Sequence, residues 1–298
     1  MGCPCFPHGA VEPFNWSSYT GFWLRRFHHP GEQSRDRVVQ ISLPDDLFNF
    51  IKMEDKNSML YWYPKIKDVA IPQPTTEILE IGIDMAMWGF PEDNLWQWEK
   101  KIKEYAHRIG YPLFMRTDQT SDKHSWNKSC FVESEEVLMD HILRLLEFNY
   151  CATPMGLPCV ALVFREYIPM DSNFVAFHGD LPISPERRYF IRDGKIQCHH
   201  PYWVEDAIGK WLESKGLVRK YTPKILKDNL PDNWKEILAK MNTETRKEVE
   251  LLSYYAINVA VRLKGYWSVD FCKAKDGMWY LIDCAKGENS YHPECEFK

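Results

Sequence analysis

The chain has 298 residues, 45% hydrophobic and 27% charged, with no low-complexity tract, which is the composition of a globular protein of one elaborate domain or two. A net charge of −5 argues against a dedicated nucleic-acid binder, which carries a basic bias, and makes nucleic-acid partners such as RNA ends unexpected. Nine cysteines without framework spacing, no signal-peptide pattern at Met1-Gly2-Cys3-Pro4-Cys5, and no apolar run long enough to span a bilayer predict a cytoplasmic protein without a membrane partner.

Taken in chain order, residues 37–43 (RVVQISL) read as a strand, and Pro44-Asp45-Asp46 cap a short helix through Lys52. Residues 71–79 (IPQPTTEIL) read as a Pro-punctuated connector. Leu95, Trp98, Ile102, Tyr105 and Ala106 carry a helical period over 93–109, which Gly110 stops. A strand follows at 112–117, then an amphipathic helix over 134–148 with Ser134 as its N-cap, then a long apolar strand over 159–168 ended by Pro169. Asp193-Gly194 joins 188–191 to 195–198 as a hairpin. A helix is expected over 243–264, closed by Gly265, feeding a second hairpin whose strands, 266–272 and 278–284, flank Asp276-Gly277. Separate helices mixed with antiparallel strands predict an α+β fold rather than a doubly wound parallel sheet.

Asp270 and Asp283 lie on the two strands of that last hairpin, embedded among Val269, Phe271, Leu281 and Ile282. If the turn centres on Asp276-Gly277, the two carboxylates pair across the strands or nearly so. Carboxylates on one sheet face repel unless a cation lies between them. Mg²⁺ suits the position, because it takes one or two carboxylates plus phosphate oxygens. The pattern therefore points to a nucleotide-dependent enzyme. Blander roles are an ordinary solvent-face position for either aspartate, an Arg116–Asp118 surface pair, and a Glu166 pair with Arg165 or Lys195. Arg187 and Arg188 must face opposite sides of their strand, and Arg187 is expected to be solvated. Cys198, His199 and His200 lack a CxxC pair, so zinc is not expected. The segment 199–233, with Trp203, Trp211, Arg219, Lys220, Lys224 and Lys227, reads either as an aromatic and basic lid or as a solvated helix pair. There is no P-loop, no G-x-G-x-x-G, no H-R-D or D-F-G, no Lys-x-Asp-Gly and no G-x-S-x-G.

In order, IPQPTTEIL (71–79), IGYPLFMRT (109–117), TSDKHSWNKS (120–129), VFREYIP (163–169), ERRYFIRDGK (186–195), WSVDF (267–271) and WYLIDCAKGENS (279–290) resemble the segments of the ATP-grasp superfamily. The resemblance implies a fold of two α+β subdomains gripping ATP, about 91–165 and 166–298, preceded by a small α/β region over 1–90. It places Arg116 where the family has a phosphate-binding Lys, and Lys123 in the phosphate-covering loop. It places Glu166, Tyr167, Ile168 and Asp171 along the hinge that meets the nucleotide, and Arg188 against phosphate or substrate. Asp270 and Asp283 would hold Mg²⁺. Ala285 stands where the family often has a third ligand, Asn, which leaves Glu288 or Asn289 for that role, and Asn289 is taken.

The resemblance implies ATP and Mg²⁺ as the cofactors and an ATP-dependent ligase as the activity, with Arg116 and Arg188 as catalytic residues. Such an enzyme joins a small-molecule or peptide carboxylate to an amine or thiol through an acyl phosphate. The alternatives are an assembly factor or chaperone that binds Mg-ATP with little ligase activity and, further off, an RNA-end ligase. The sequence leaves open whether the chain forms a homodimer.

Overall fold

The computed structural model describes residues 55–153, 157–177, 180–221 and 230–292. The strand and helix expected over 37–52 lie outside these residues. In chain order the elements are α1 (Met59–Ile66), β1 (Thr76–Glu80), α2 (Ile83–Trp88), α3 (Leu95–Ile109), β2 (Leu113–Thr117), β3 (Phe131–Val132), α4 (Glu135–Ala152) and β4 (Ala161–Glu166). There follow β5 (Phe174–Ala176), β6 (Leu181–Ile183), β7 (Glu186–Arg192), β8 (Lys195–Pro201), α5 (Glu205–Tyr221), α6 (Trp234–Asn242), α7 (Arg246–Ala260), β9 (Tyr266–Lys273) and β10 (Trp279–Lys286).

Two four-stranded antiparallel sheets carry the molecule, ordered β1-β4-β2-β3 and β10-β9-β7-β8, so the fold is α+β. Part of the expected connector is a strand. Pro72 and Pro74 cannot donate to a ladder, but from Thr76 onward every residue can, and Thr76–Glu80 pairs with β4. Alternation along the first sheet sends Leu79, Leu113, Met115, Leu162 and Phe164 into a core with Ile102 and Ala106 of α3 and Leu138, Ile142 and Leu145 of α4. Ser134 holds the N-cap position of α4 in extended backbone, but its side chain makes no capping hydrogen bond.

The second sheet buries Tyr189, Ile191, Val269, Phe271 and Leu281 against α7 and α1, where Trp62 and Trp267 fill the same core. Val163 of the first sheet joins that core, so the two sheets share it. Helix α7 starts at Thr245, whose hydroxyl accepts from the Glu248 backbone N–H at 3.2 Å, and it ends at Ala260, earlier than its periodicity suggested. A third core joins Phe174, Phe177 and Ile183 to Trp203, Ile208 and Trp211 of the segment read as a lid, and to Trp234 and Leu238 of α6. In its described part, that segment is built into the body of the protein. Lys224 and Lys227, and the side chains of Arg219 and Lys220, lie outside the described residues.

The structure packs Met59 to Ile66 and Thr76 to Glu80 into the same sheets and core as the residues after 91. A division at 90/91 therefore does not separate two cores.

Candidate active site

The turn between β7 and β8 sets the first half of the site. Asp193 (φ +47°) and Gly194 (φ +84°) are both left-handed, the two-residue geometry whose twist suits a hairpin. It pairs Arg188 with His200 on one side, while β9 places Asp270 opposite Arg188 on the other. Alternation turns Glu186, Arg188 and Phe190 toward the face away from α7. Arg187 takes the other face, and there the expectation of a solvated side chain fails. Arg187 is buried, 2.7 Å from Glu248 and 3.3 Å from Glu244, and it donates to the Met241 carbonyl at 3.0 Å. Helix α7 and the turn before it cover that face with acidic partners, so neither face of β7 meets water.

Across β9 and β10 the register runs Tyr280↔Cys272 and Leu281↔Phe271, then skips Ile282 and resumes at Asp283↔Asp270. This bulge matters because strand side chains alternate. Without the extra residue, Ile282 would stand opposite Asp270, and Asp283 would point to the α7 side. With it, the two carboxylates face each other, as the hairpin pattern anticipated. The Ile282 carbonyl, released from the ladder, accepts from the Arg165 guanidinium of β4, which also donates to Thr76 at 3.2 Å. Nothing in the sequence singled out Arg165. Burial, and then the nearby Arg116 charge, lower its pKa to about 10.

Each aspartate is gripped by one of the two arginines assigned to the site. Arg188 holds Asp270 with two parallel hydrogen bonds, 2.8 Å from Nε to Oδ1 and 2.7 Å from Nη2 to Oδ2. Arg116, buried on β2, lies 2.9 Å from Asp283, so this pair joins the two sheets. Burial alone would raise the Asp283 pKa, but the Arg116 charge helps to outweigh it, and the carboxyl is held well below the usual range. Asp118 does not pair with Arg116. It is fully buried and accepts from Ser58 Oγ (2.6 Å) and from the backbone N–H groups of Val160 (3.0 Å) and Ala161 (3.1 Å).

The loop after β2 forms a short 3-10 stretch over Lys123–Lys128. The Lys123 ammonium donates to Tyr202 Oη at 2.8 Å and sits over the rings of Tyr202 (4.2 Å) and Trp203 (4.9 Å). Burial works against its charge, but Tyr202 and Glu186 outweigh that and raise its pKa. Glu186 is buried, and burial pushes it up to about 7 against the pull of Lys123, with Asp270 adding repulsion. Glu186 had no assigned role in the sequence reading. Its signal was the two-residue spacing from Arg188, which puts both on one face.

The hinge residues run from the first sheet to the end of β9. Glu166 is exposed and accepts from the Thr75 backbone N–H (3.1 Å) and hydroxyl (2.9 Å), not from Arg165 or Lys195. Tyr167 packs on Phe131 and Trp126, Ile168 is buried, and the Asp171 backbone N–H donates to the Lys273 carbonyl at 2.9 Å. Asn289 is exposed and lines a separate surface cavity of about 330 Å³ with Lys264, Tyr266 and Lys286. Among the described residues, no three His, Cys, Asp or Glu side chains are grouped to hold a metal. Two facing carboxylates without a third suit a hard cation that arrives with phosphate oxygens, rather than a cage made by protein alone.

Residues 106–298 match the model of an ATP-grasp domain family, the third family of its clade. The chain belongs to this family of the ATP-grasp superfamily. Among curated proteins none matches it. Similar solved structures include D-alanine–D-alanine ligase from Bacillus anthracis complexed with ATP, at 13% identity and TM-score 0.38, covering 78% of this chain and 53% of that one. Cdc123 from Schizosaccharomyces pombe is similar at 16% identity and TM-score 0.44, covering 78% and 86%. N5-carboxyaminoimidazole ribonucleotide synthetase from Thermotoga maritima is similar at 11% identity and TM-score 0.39, covering 79% and 43%. The chain thus spans about half the length of the bacterial ligase.

Proposed function

We propose that the protein is an ATP- and Mg²⁺-dependent ligase that activates a carboxylate as an acyl phosphate and passes it to an amine or thiol. The observation that carries the reading is the direct opposition of Asp270 and Asp283, with Arg188, Arg116 and Lys123 converging around them. Asp270 and Asp283 would hold Mg²⁺, with Asn289 as a third candidate that needs a local shift to join them. The ion's contribution when bound is to offset charge on the phosphate oxygens.

The chain's own residues do the rest. Arg116 and Arg188 offer planar donors fixed by burial, each able to grip two oxygens where an ammonium is a point charge. Both start paired to an aspartate, so an incoming phosphate shares or takes over those donors while the cation takes over the carboxylates. Lys123 supplies a further positive charge from the loop. The backbone of Glu166, Tyr167 and Ile168 would meet the adenine edge, and Asp171 lies where the hinge turns into the second sheet. The two sheets then serve as the two gripping subdomains, 91–165 and 166–298, in a cytoplasmic protein.

The test is ADP release in the presence of Mg-ATP and panels of amino acids, peptides and amines. Release that depends on a carboxylate and an amine, and that is lost in Asp283→Asn, supports the ligase. A second reading is a Mg-ATP-binding assembly factor with little turnover. The arginine grip on both aspartates favours it, because that grip competes with metal binding. Mg-dependent ATP binding without substrate-dependent release across the panels supports this second reading and removes the first.

A further inference from the structure

The segment after β10 crosses the site-facing side of the second sheet and ends on a cysteine. Ser290 Oγ bonds Ser268 Oγ on β9 at 2.6 Å, and the Tyr291 carbonyl accepts from Arg188 Nη1 on β7 at 3.4 Å. The His292 ring stands 4.1 Å from that of Phe190, inclined at 63°, and its Nε2 lies 2.9 Å from Cys198 Sγ on β8. Cys198 is half-buried.

A second imidazole faces the same place. His200, two residues along β8, is nine-tenths buried. Its Nδ1 is 2.8 Å from the Pro201 carbonyl, which makes that nitrogen the N–H donor and leaves Nε2 with a lone pair. Among the described residues that Nε2 has no hydrogen-bond partner. The His200 and His292 rings are 6.2 Å apart and nearly perpendicular. His199 takes the opposite face, stacked on Tyr189 and 3.2 Å from Glu244, so the three consecutive residues cannot share one metal. The charged and titratable groups facing the pair are His200 on β8, Arg188 on β7 and Asp270 on β9.

A thiol within reach of an imidazole whose ring is held by packing is the arrangement that activates a nucleophile. The nucleotide chemistry above uses neither residue. We infer that Cys198 is an acyl-accepting nucleophile, with His292 as its base, and that the site takes activated acyl carbonyl compounds such as acyl phosphates and esters. The sulfur lone pair forms a bond to the carbonyl carbon, and the thiol proton passes to His292 Nε2. The bond from that carbon to the leaving oxygen breaks, and the leaving group departs with the electron pair as phosphate or phenolate. A water or amine then attacks the thioester, its proton goes to His200 Nε2, and the carbon–sulfur bond breaks to return the thiolate.

The test uses the full chain and p-nitrophenyl acetate, which brings its own leaving group and needs no nucleotide. A protein that fails to bind ATP can therefore still show this reaction, and the converse also holds. A burst of p-nitrophenolate near neutral pH is expected, with acetyl found by mass spectrometry on the peptide containing Cys198. Exposed Cys151 is the reference thiol in the same digest, and burial with the nearby Glu147 charge raises its pKa. Cys198→Ser should remove the burst, and His292→Gln should slow it about 100-fold. Acetylation of Cys198 no faster than that of Cys151, or an unchanged rate in His292→Gln, overturns the inference. The wild-type profile gives a readout that no variant's folding affects. A rate that levels off near neutral pH supports the pair, and one still climbing through the ordinary thiol range, at about pH 8.5, overturns it.

Discussion

Asp283 faces Asp270 because the strand carries one residue too many between Leu281 and Asp283. The bulge does two jobs at once. It re-phases the strand so that both carboxylates share a face, and it frees the Ile282 carbonyl for Arg165 of the other sheet. The alignment of the site and the joining of the two sheets thus come from the same irregularity.

Arg165→Met should leave the Ile282 carbonyl and the Thr76 hydroxyl short of a donor. A cost of about 1–3 kcal/mol follows from stranding buried polar groups, read as a lower urea midpoint with an unchanged slope. A midpoint equal to wild type would mean that water replaces the guanidinium.

Arg188→Ala removes one member of a pair in which both side chains are buried. The Asp270 carboxylate would be left uncompensated, at about 3–5 kcal/mol. Arg188→Met combined with Asp270→Leu should recover much of that stability while abolishing any response to Mg-ATP. If the double variant is no more stable than the single one, packing rather than stranded charge accounts for the loss.

Asp283→Asn keeps an acceptor oxygen for Arg116 but gives up its charge. The thermal midpoint without ligand should fall modestly. The Mg-dependent rise with ATP expected of wild type should vanish, because only ligand bound to the folded state raises the midpoint. A full rise in the variant would remove Asp283 from the metal site.

Glu186 sets a pH dependence whose sign can be worked out. Its folded pKa is raised from 4.5 to about 7, first by burial, so between those values the folded state holds a proton that the unfolded state has lost. Stability therefore falls as pH rises through that window, by at most about 1.4 kcal/mol per pH unit from this group. Glu186→Gln should flatten the decline relative to wild type. Parallel curves for the two proteins would show that Glu186 ionises normally.

The sequence was most readable where the signal was local. Asp193-Gly194 and Asp276-Gly277 marked both hairpins of the second sheet, and apolar spacing over 93–109 marked α3. Arg116, Arg188, Asp270 and Asp283 converge as two pairs, but the partnering depends on register between distant strands, which no local pattern encodes. The Arg187 error has a physical lesson. Alternation gave its face correctly, and Glu244 and Glu248, four residues apart, were the available sign that the face was covered by an acidic helix start. The Cys198–His292 contact joins residues 94 positions apart and was invisible for the same reason as Arg165.

The buried Asp118 carboxylate ties α1, through Ser58, to the start of β4, and β1 lies along the outer side of β4. A protein trimmed to the stretch shared with its family, 106–298, would lose Ser58 and β1 together. Its β4 would then offer a bare ladder of N–H and C=O groups along an apolar strand, a template on which a second chain can add. For this fold the residues ahead of the family match act as a guard against self-association, and expression trials should begin upstream of Asp55 rather than at the family boundary.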